Sequence, residues 1–150
     1  MTSRISTLAR RSAVALSCTV TLSCALPHRR ESSPAPALLL GEFSDDYGSS
    51  YRITADAFVQ DGRQTYRVVS WHEEAQYLIA QNAPTNASAA SKWTRIDWLA
   101  LDGMAPYAWA FCLSAYDADS KATAEAVRIA RRSTPRTGCN GFPFTRMKRR

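Results

Sequence analysis

The chain has 150 residues, 45% of them hydrophobic and 21% charged, with a formal net charge of +6. That length holds one ordinary domain, and that apolar share excludes a chain that stays disordered. The positive charge is no nucleic-acid footprint, because it is unevenly placed: residues 38–127 carry six bases against 12 acids, whereas residues 128–150 carry eight bases and no acid. The result is an acidic body with a basic tail, which is either a solvated chain end or an attraction to anionic lipid or another acidic surface.

In chain order, an export signal comes first. Arg4, Arg10 and Arg11 head the chain, and the uncharged, mostly apolar run SAVALSCTVTLSCAL fills residues 12–26. A basic head before a short apolar core is the layout of an export signal, and the run falls below the roughly 18 to 20 residues that span a bilayer. Within it, TLSC at residues 21–24 resembles the lipobox of bacterial lipoproteins. That resemblance implies a lipid on Cys24 and contact with a membrane through it. Ser23 fits the position before the cysteine, Thr21 and Leu22 depart from the pattern, and ordinary cleavage after Ala25 or Ala37 is the alternative. Residues 27–37, PHRRESSPAPA, have the composition of a tether. The expected organisation is therefore a signal at 1–26, a linker at 27–37 and a single β-rich domain at 38–150. The expected location is the periplasm or the outer membrane surface, otherwise the medium, where a chain meets little nucleic acid.

From residue 38 the side chains alternate. LLLGEFSD, SYRITADAFV, TYRVVSW, QYLIAQN, KWTRIDWLAL and PYAWAFCLSAY read as six strands. Asp61-Gly62 and Asp102-Gly103 punctuate hairpins. Connections this short favour antiparallel neighbours. The fold class expected is mainly β: an antiparallel meander forming a small barrel or strongly curved sheet, with one C-terminal α-helix packed on it. APTNASAAS, residues 83–91, reads as an exposed loop, and GFPFTRM near the C-terminus packs Phe142 and Phe144 onto the sheet and adds an optional last strand.

The helix is expected over SKATAEAVRIARR, capped by Asp117 or Asp119, with Ala122, Ala126, Ile129 and Ala130 facing Ala108, Ala110, Cys112 and Ser114. With Cys18 and Cys24 assigned to the signal, Cys112 and Cys139 remain, an even number in an oxidising compartment. A helix of about 12 residues runs back about 18 Å, far enough to bring the two within reach of a disulfide.

Few residues suggest chemistry. In WTRIDWLAL, residues 93–101, a strand places Arg95 and Asp97 on one face with Trp93. The pair is a structural brace, the polar anchor of a ligand pocket lined by Trp93, Arg95, Asp97 and Trp109 with Trp93 over the guanidinium, or a plainly exposed surface pair. His72-Glu73-Glu74 reads as a solvated turn, since His72 is the only histidine after residue 38 and a metal site wants several nitrogen or sulfur ligands. No metal and no cofactor are expected.

Gly41-Glu42-Phe43 at the head of the first strand, the meander and the late helix resemble the calycin architecture, the lipocalin-like small barrels whose first strand carries Gly-X-Trp. Phe43 stands in place of the Trp. The set DDYG, WTRIDW, PYAWAFC and GCNGFPF across residues 38–150 is similar to small exported bacterial proteins of no assigned activity. The resemblance implies compartment and compactness. The role expected is a non-catalytic, envelope-associated binding or interaction module, with a small apolar ligand or an envelope protein as partner. The alternatives are a small hydrolase-like enzyme around the acidic turns and His72, and a structural envelope protein or inhibitor acting through its surface.

Overall fold

Side-chain alternation closes the sheet on itself. In the computed structural model, which describes residues 32–150, eight strands run in chain order around a closed antiparallel barrel. They are β1 (Gly41–Asp45), β2 (Ser50–Ile53), β3 (Ala57–Gln60), β4 (Gln64–His72), β5 (Tyr77–Asn82), β6 (Trp93–Ala100), β7 (Tyr107–Ala118) and β8 (Thr145–Arg149). Two elements raise the expected six strands to eight. The stretch SYRITADAFV is a hairpin rather than one strand, because the Thr54 hydroxyl accepts hydrogen bonds from the Asp56 and Ala57 amides and turns the chain. TRMKR is the second: it pairs with β7 on one side and β1 on the other, with Phe43 opposite Arg149.

The lumen is filled. Phe43 packs edge-on to Trp109 at 5.3 Å, and Phe58 to Phe111 at 5.4 Å, with Tyr51 against both Phe58 and Phe111. Each fully buried ring contributes about 1.5 to 3 kcal/mol. Leu39, on a 3-10 turn at Ala37–Leu39, enters one end of the barrel and is 1% exposed. Glu42, Arg52, Arg67 and Gln81 face solvent from the strands. That is polar out and apolar in, the reverse of a barrel embedded in lipid.

At the plugged end, the Arg149 guanidinium lies over the Phe43 ring and donates to the Leu40 carbonyl. Gly41 sits against it at φ 129°, and a Cβ there would come within 2.7 Å of the guanidinium. Only glycine holds that backbone conformation without strain. Ser32 and Ser33, read from composition as tether, pair with the end of β4: the Ser33 amide donates to the Trp71 carbonyl, and the Glu73 amide donates to the Ser33 hydroxyl. Residues 1–31, with the signal, Cys24 and the start of the linker, lie outside the described residues.

The helix corrects its expectation. α1 spans only Lys121–Ala126, and Ser120 caps it by accepting from the Thr123 amide. Val127 is already extended at ψ 138°. Ala122 and Ala126 are exposed, and Ala124 is the buried face. It packs with Tyr77, Ile79 and Ala118 on the outside of β5 and β7, not on Ala110 or Cys112. The strap that follows, residues 127–139, is extended as far as Ala130 and then runs through turns that bring Cys139 back beside Ala130, and it takes the place of the expected helical turns.

Burial, and then the hydrogen bond and charge of Asp45, push the Tyr51 phenol well above its usual range; burial alone raises Tyr66. A folded value above the unfolded one means stability that is complete below about pH 10 and lost as pH rises through the folded value. Tyr51 and Tyr66 are therefore expected to keep their protons beyond about pH 10 while the barrel stays folded. The check is ring-carbon NMR, with Tyr51→Phe and Tyr66→Phe to assign the signals; a phenolate at either position near pH 10 in folded protein contradicts it.

Candidate functional site

Period-two alternation sets Trp93, Arg95 and Asp97 outward on β6, where α1 and the strap cover them. Arg95 is 4% exposed and Asp97 2%. Nε and one terminal nitrogen of Arg95 donate to the two Asp97 oxygens at 2.7 and 2.9 Å, a bidentate pair, and a third bond reaches the Glu125 carbonyl of α1. Arg132 arrives from the strap and donates to the same carboxylate at 2.7 Å and to the carbonyls of Trp98, Ala75 and Gln76. The Arg95 guanidinium lies 3.7 Å over Tyr77, where Trp93 was expected. His72 stacks on the same Tyr77 ring, with the two ring centres 4.3 Å apart.

The four residues expected to line one pocket do not meet. Trp109 points into the lumen, fully buried against Phe43, while Arg95 and Asp97 lie on the outer wall beneath the strap. Trp93 packs with Tyr77 and Ala124. Geometrically, Arg95 and Asp97 fasten the strap to the barrel. The two sulfurs do meet: Cys112 and Cys139 are joined in a disulfide, with Cα atoms 5.5 Å apart. His72 is buried and in contact with the Ser70 hydroxyl at 3.0 Å, whereas Glu73 and Glu74 are exposed. Among the described residues no three His, Cys, Asp or Glu side chains are grouped to hold a metal ion.

The surface available to a partner lies at the other end of the barrel. Asp45 makes the β1–β2 turn by accepting from the Tyr47 and Ser49 amides, and this turn lifts Tyr47 to 72% exposure. Beside it, Asn140 and Gly141 at positive φ swing Phe142 outward to 71% exposure while Phe144 stays buried. The expectation that both phenylalanines pack on the sheet holds for Phe144 alone. Tyr47 and Phe142 border a depression of about 420 Å³ whose floor reaches Phe111 and Leu113 at the barrel mouth. On the other side of Tyr47, a groove of about 360 Å³ runs along the outer wall over Leu101, Ala110 and Phe144.

Set against family models, characterised proteins and solved structures, the chain matches none. The candidate site therefore rests on its own geometry. Exposed aromatics above two adjoining depressions, on a barrel whose own interior is occupied, form a surface suited to contact.

Sequence reasoning missed Tyr47, Arg132 and Arg146. The DDYG turn carried the signal for Tyr47: an Asp at the start of a tight turn fixes the residue two positions on, and an aromatic there has nothing left to bury against. Arg132 closes the run SKATAEAVRIARR, where a cation suits the end of a long helix, and the short helix leaves it to the strap instead. Asn86 of the Asn-Ala-Ser triplet is buried and bonds the amide and carbonyl of Thr65, so it holds the 83–91 loop to β4.

Proposed function

We propose that the protein is a non-catalytic, exported, envelope-associated binding module that engages its partner through the outer rim of the barrel and not through the lumen. The observation that carries this is the contrast between a lumen packed with aromatic rings and a rim that leaves Tyr47 and Phe142 at 72% and 71% exposure. Exposed aromatics beside shallow depressions supply the anchors that dominate binding surfaces. Export is supported by the signal-like N-terminus and by the Cys112–Cys139 disulfide, a bond that persists in oxidising compartments. Lipidation of Cys24 would hold the module at a membrane, and the eight-stranded closure with a late helix between β7 and β8 is compatible with the calycin-like resemblance. The depression over Phe111 and Leu113 favours a second reading, a small apolar ligand held at the barrel mouth.

Native mass spectrometry of the protein purified from its own envelope tests the reading. A retained partner or ligand is expected, together with the mass of a lipid on Cys24 and of the disulfide. Tyr47→Ser with Phe142→Ser is expected to release what is retained, cutting its occupancy at least tenfold, with little change in thermal midpoint because both side chains are exposed. Retention unchanged in the double variant would contradict the rim as the binding surface.

A further inference from the structure

The groove on the outer wall combines an apolar floor with cations at its edge. Leu101, Ala110 and Phe144 lie beneath it, and Met104, Pro135 and Pro143 wall it. Two guanidiniums, Arg136 and Arg146, line its edge. Arg146 commits only Nε, to Asp46 at 2.8 Å, and lies over the Tyr107 ring at 4.7 Å. Its two terminal nitrogens donate to nothing among the described residues, and Arg136 is exposed and makes no ion pair among them. Asp46 offsets one of the two charges, so the edge keeps one positive charge in excess.

We propose that this groove binds a single-chain anionic amphiphile, a monomeric carboxylate with an apolar tail. The inference rests on the reading of the protein as a surface-binding module and names the ligand class of one part of that surface. The tail lies on Leu101, Ala110 and Phe144, and the carboxylate meets the free N–H edge of the Arg146 guanidinium with Arg136 beside it. A planar guanidinium with two free donors matches a carboxylate in a way a point charge does not. A volume of about 360 Å³ lies at the small-molecule end of binding sites. The floor is recessed between Pro135, Pro143 and Met104, which suits one chain entering from solution better than a flat bilayer resting on the edge.

The test is an amide-detected NMR titration of the full domain with decanoate, decyltrimethylammonium and decyl maltoside, each kept monomeric. Decanoate is expected to move the amides around Ala110 and Phe144 and to saturate, and the cationic and neutral amphiphiles are not. Arg136→Gln is expected to weaken decanoate about tenfold. Arg146→Lys, which keeps the charge beside Asp46 but loses the fork, is expected to weaken it by a similar factor. Equal response to all three amphiphiles, shifts confined to other surfaces, or indifference to both variants overturns the proposal. So does binding to anionic phosphatidylglycerol vesicles or to an acidic peptide without binding to decanoate. A partner retained in native mass spectrometry alongside a null decanoate titration overturns the groove assignment alone and leaves the surface-binding reading standing.

Discussion

Asp97→Ala is expected to lower the free energy of unfolding by about 3 to 5 kcal/mol. The carboxylate lies between Arg95 and Arg132, and Arg95 is 4% exposed. Removing it leaves the Arg95 charge buried against the Tyr77 ring with one carbonyl for company. The native pair itself adds little net stability, because two desolvated ions offset most of their attraction. Arg95→Met with Asp97→Leu is therefore expected to recover most of the loss, while Arg132 keeps its three backbone carbonyls. Urea denaturation of the single and double variants measures this. A loss below about 1 kcal/mol for Asp97→Ala would mean that the carboxylate is solvated and the strap is not seated as described.

Replacing Cys112 and Cys139 together by alanine is expected to cost about 3 to 4 kcal/mol. The bond closes a loop with a sequence separation of 27, and the unfolded chain regains the entropy of that loop when it is absent. For a domain of ordinary stability, about 5 to 15 kcal/mol, this is a large fraction. The loss is expected to be uneven. The strap and α1 are held by the disulfide, by Arg132 and by the small buried face of Ala124, so their amides should exchange first, while β1 to β7 keep theirs through the filled lumen. Uniform loss of protection on reduction would show that strap and barrel unfold as one unit.

Much of the fold was legible because the period-two pattern is strong where one face is buried. Trp109, Phe111 and Leu113 alternate with Ala110, Cys112 and Ser114, and the structure puts the first set inside and the second outside. The split of β2 from β3 was not legible, since Ala55 and Ala57 continue the alternation while the hydroxyl of Thr54 breaks the strand. The helix was overread for a different reason. Lys, Ala, Glu and Arg favour a helix locally over the whole of SKATAEAVRIARR, but the bonds that Arg132 makes to Asp97 and three carbonyls, and the bridge of Ala130 to Cys139, need the chain to leave the helix after Ala126 and turn back on itself. Tertiary contacts outweigh a propensity of tenths of a kcal/mol per residue. The Arg95–Asp97 pair was visible in the sequence, but its neighbours were not: alternation tells which residues of one strand share a face, not that Trp109 of the next strand faces the other way from them.

The account depends most on the lumen being occupied by the protein's own side chains, with the outer rim as the working surface. The direct measurement is the set of tryptophan indole N–H resonances compared between protein carrying what it retains from its envelope and protein stripped of it. The account predicts that the Trp109 signal stays in place while the amides of Tyr47 and Phe142 move. Movement of the Trp109 indole with a still rim would place the ligand inside the barrel and contradict it.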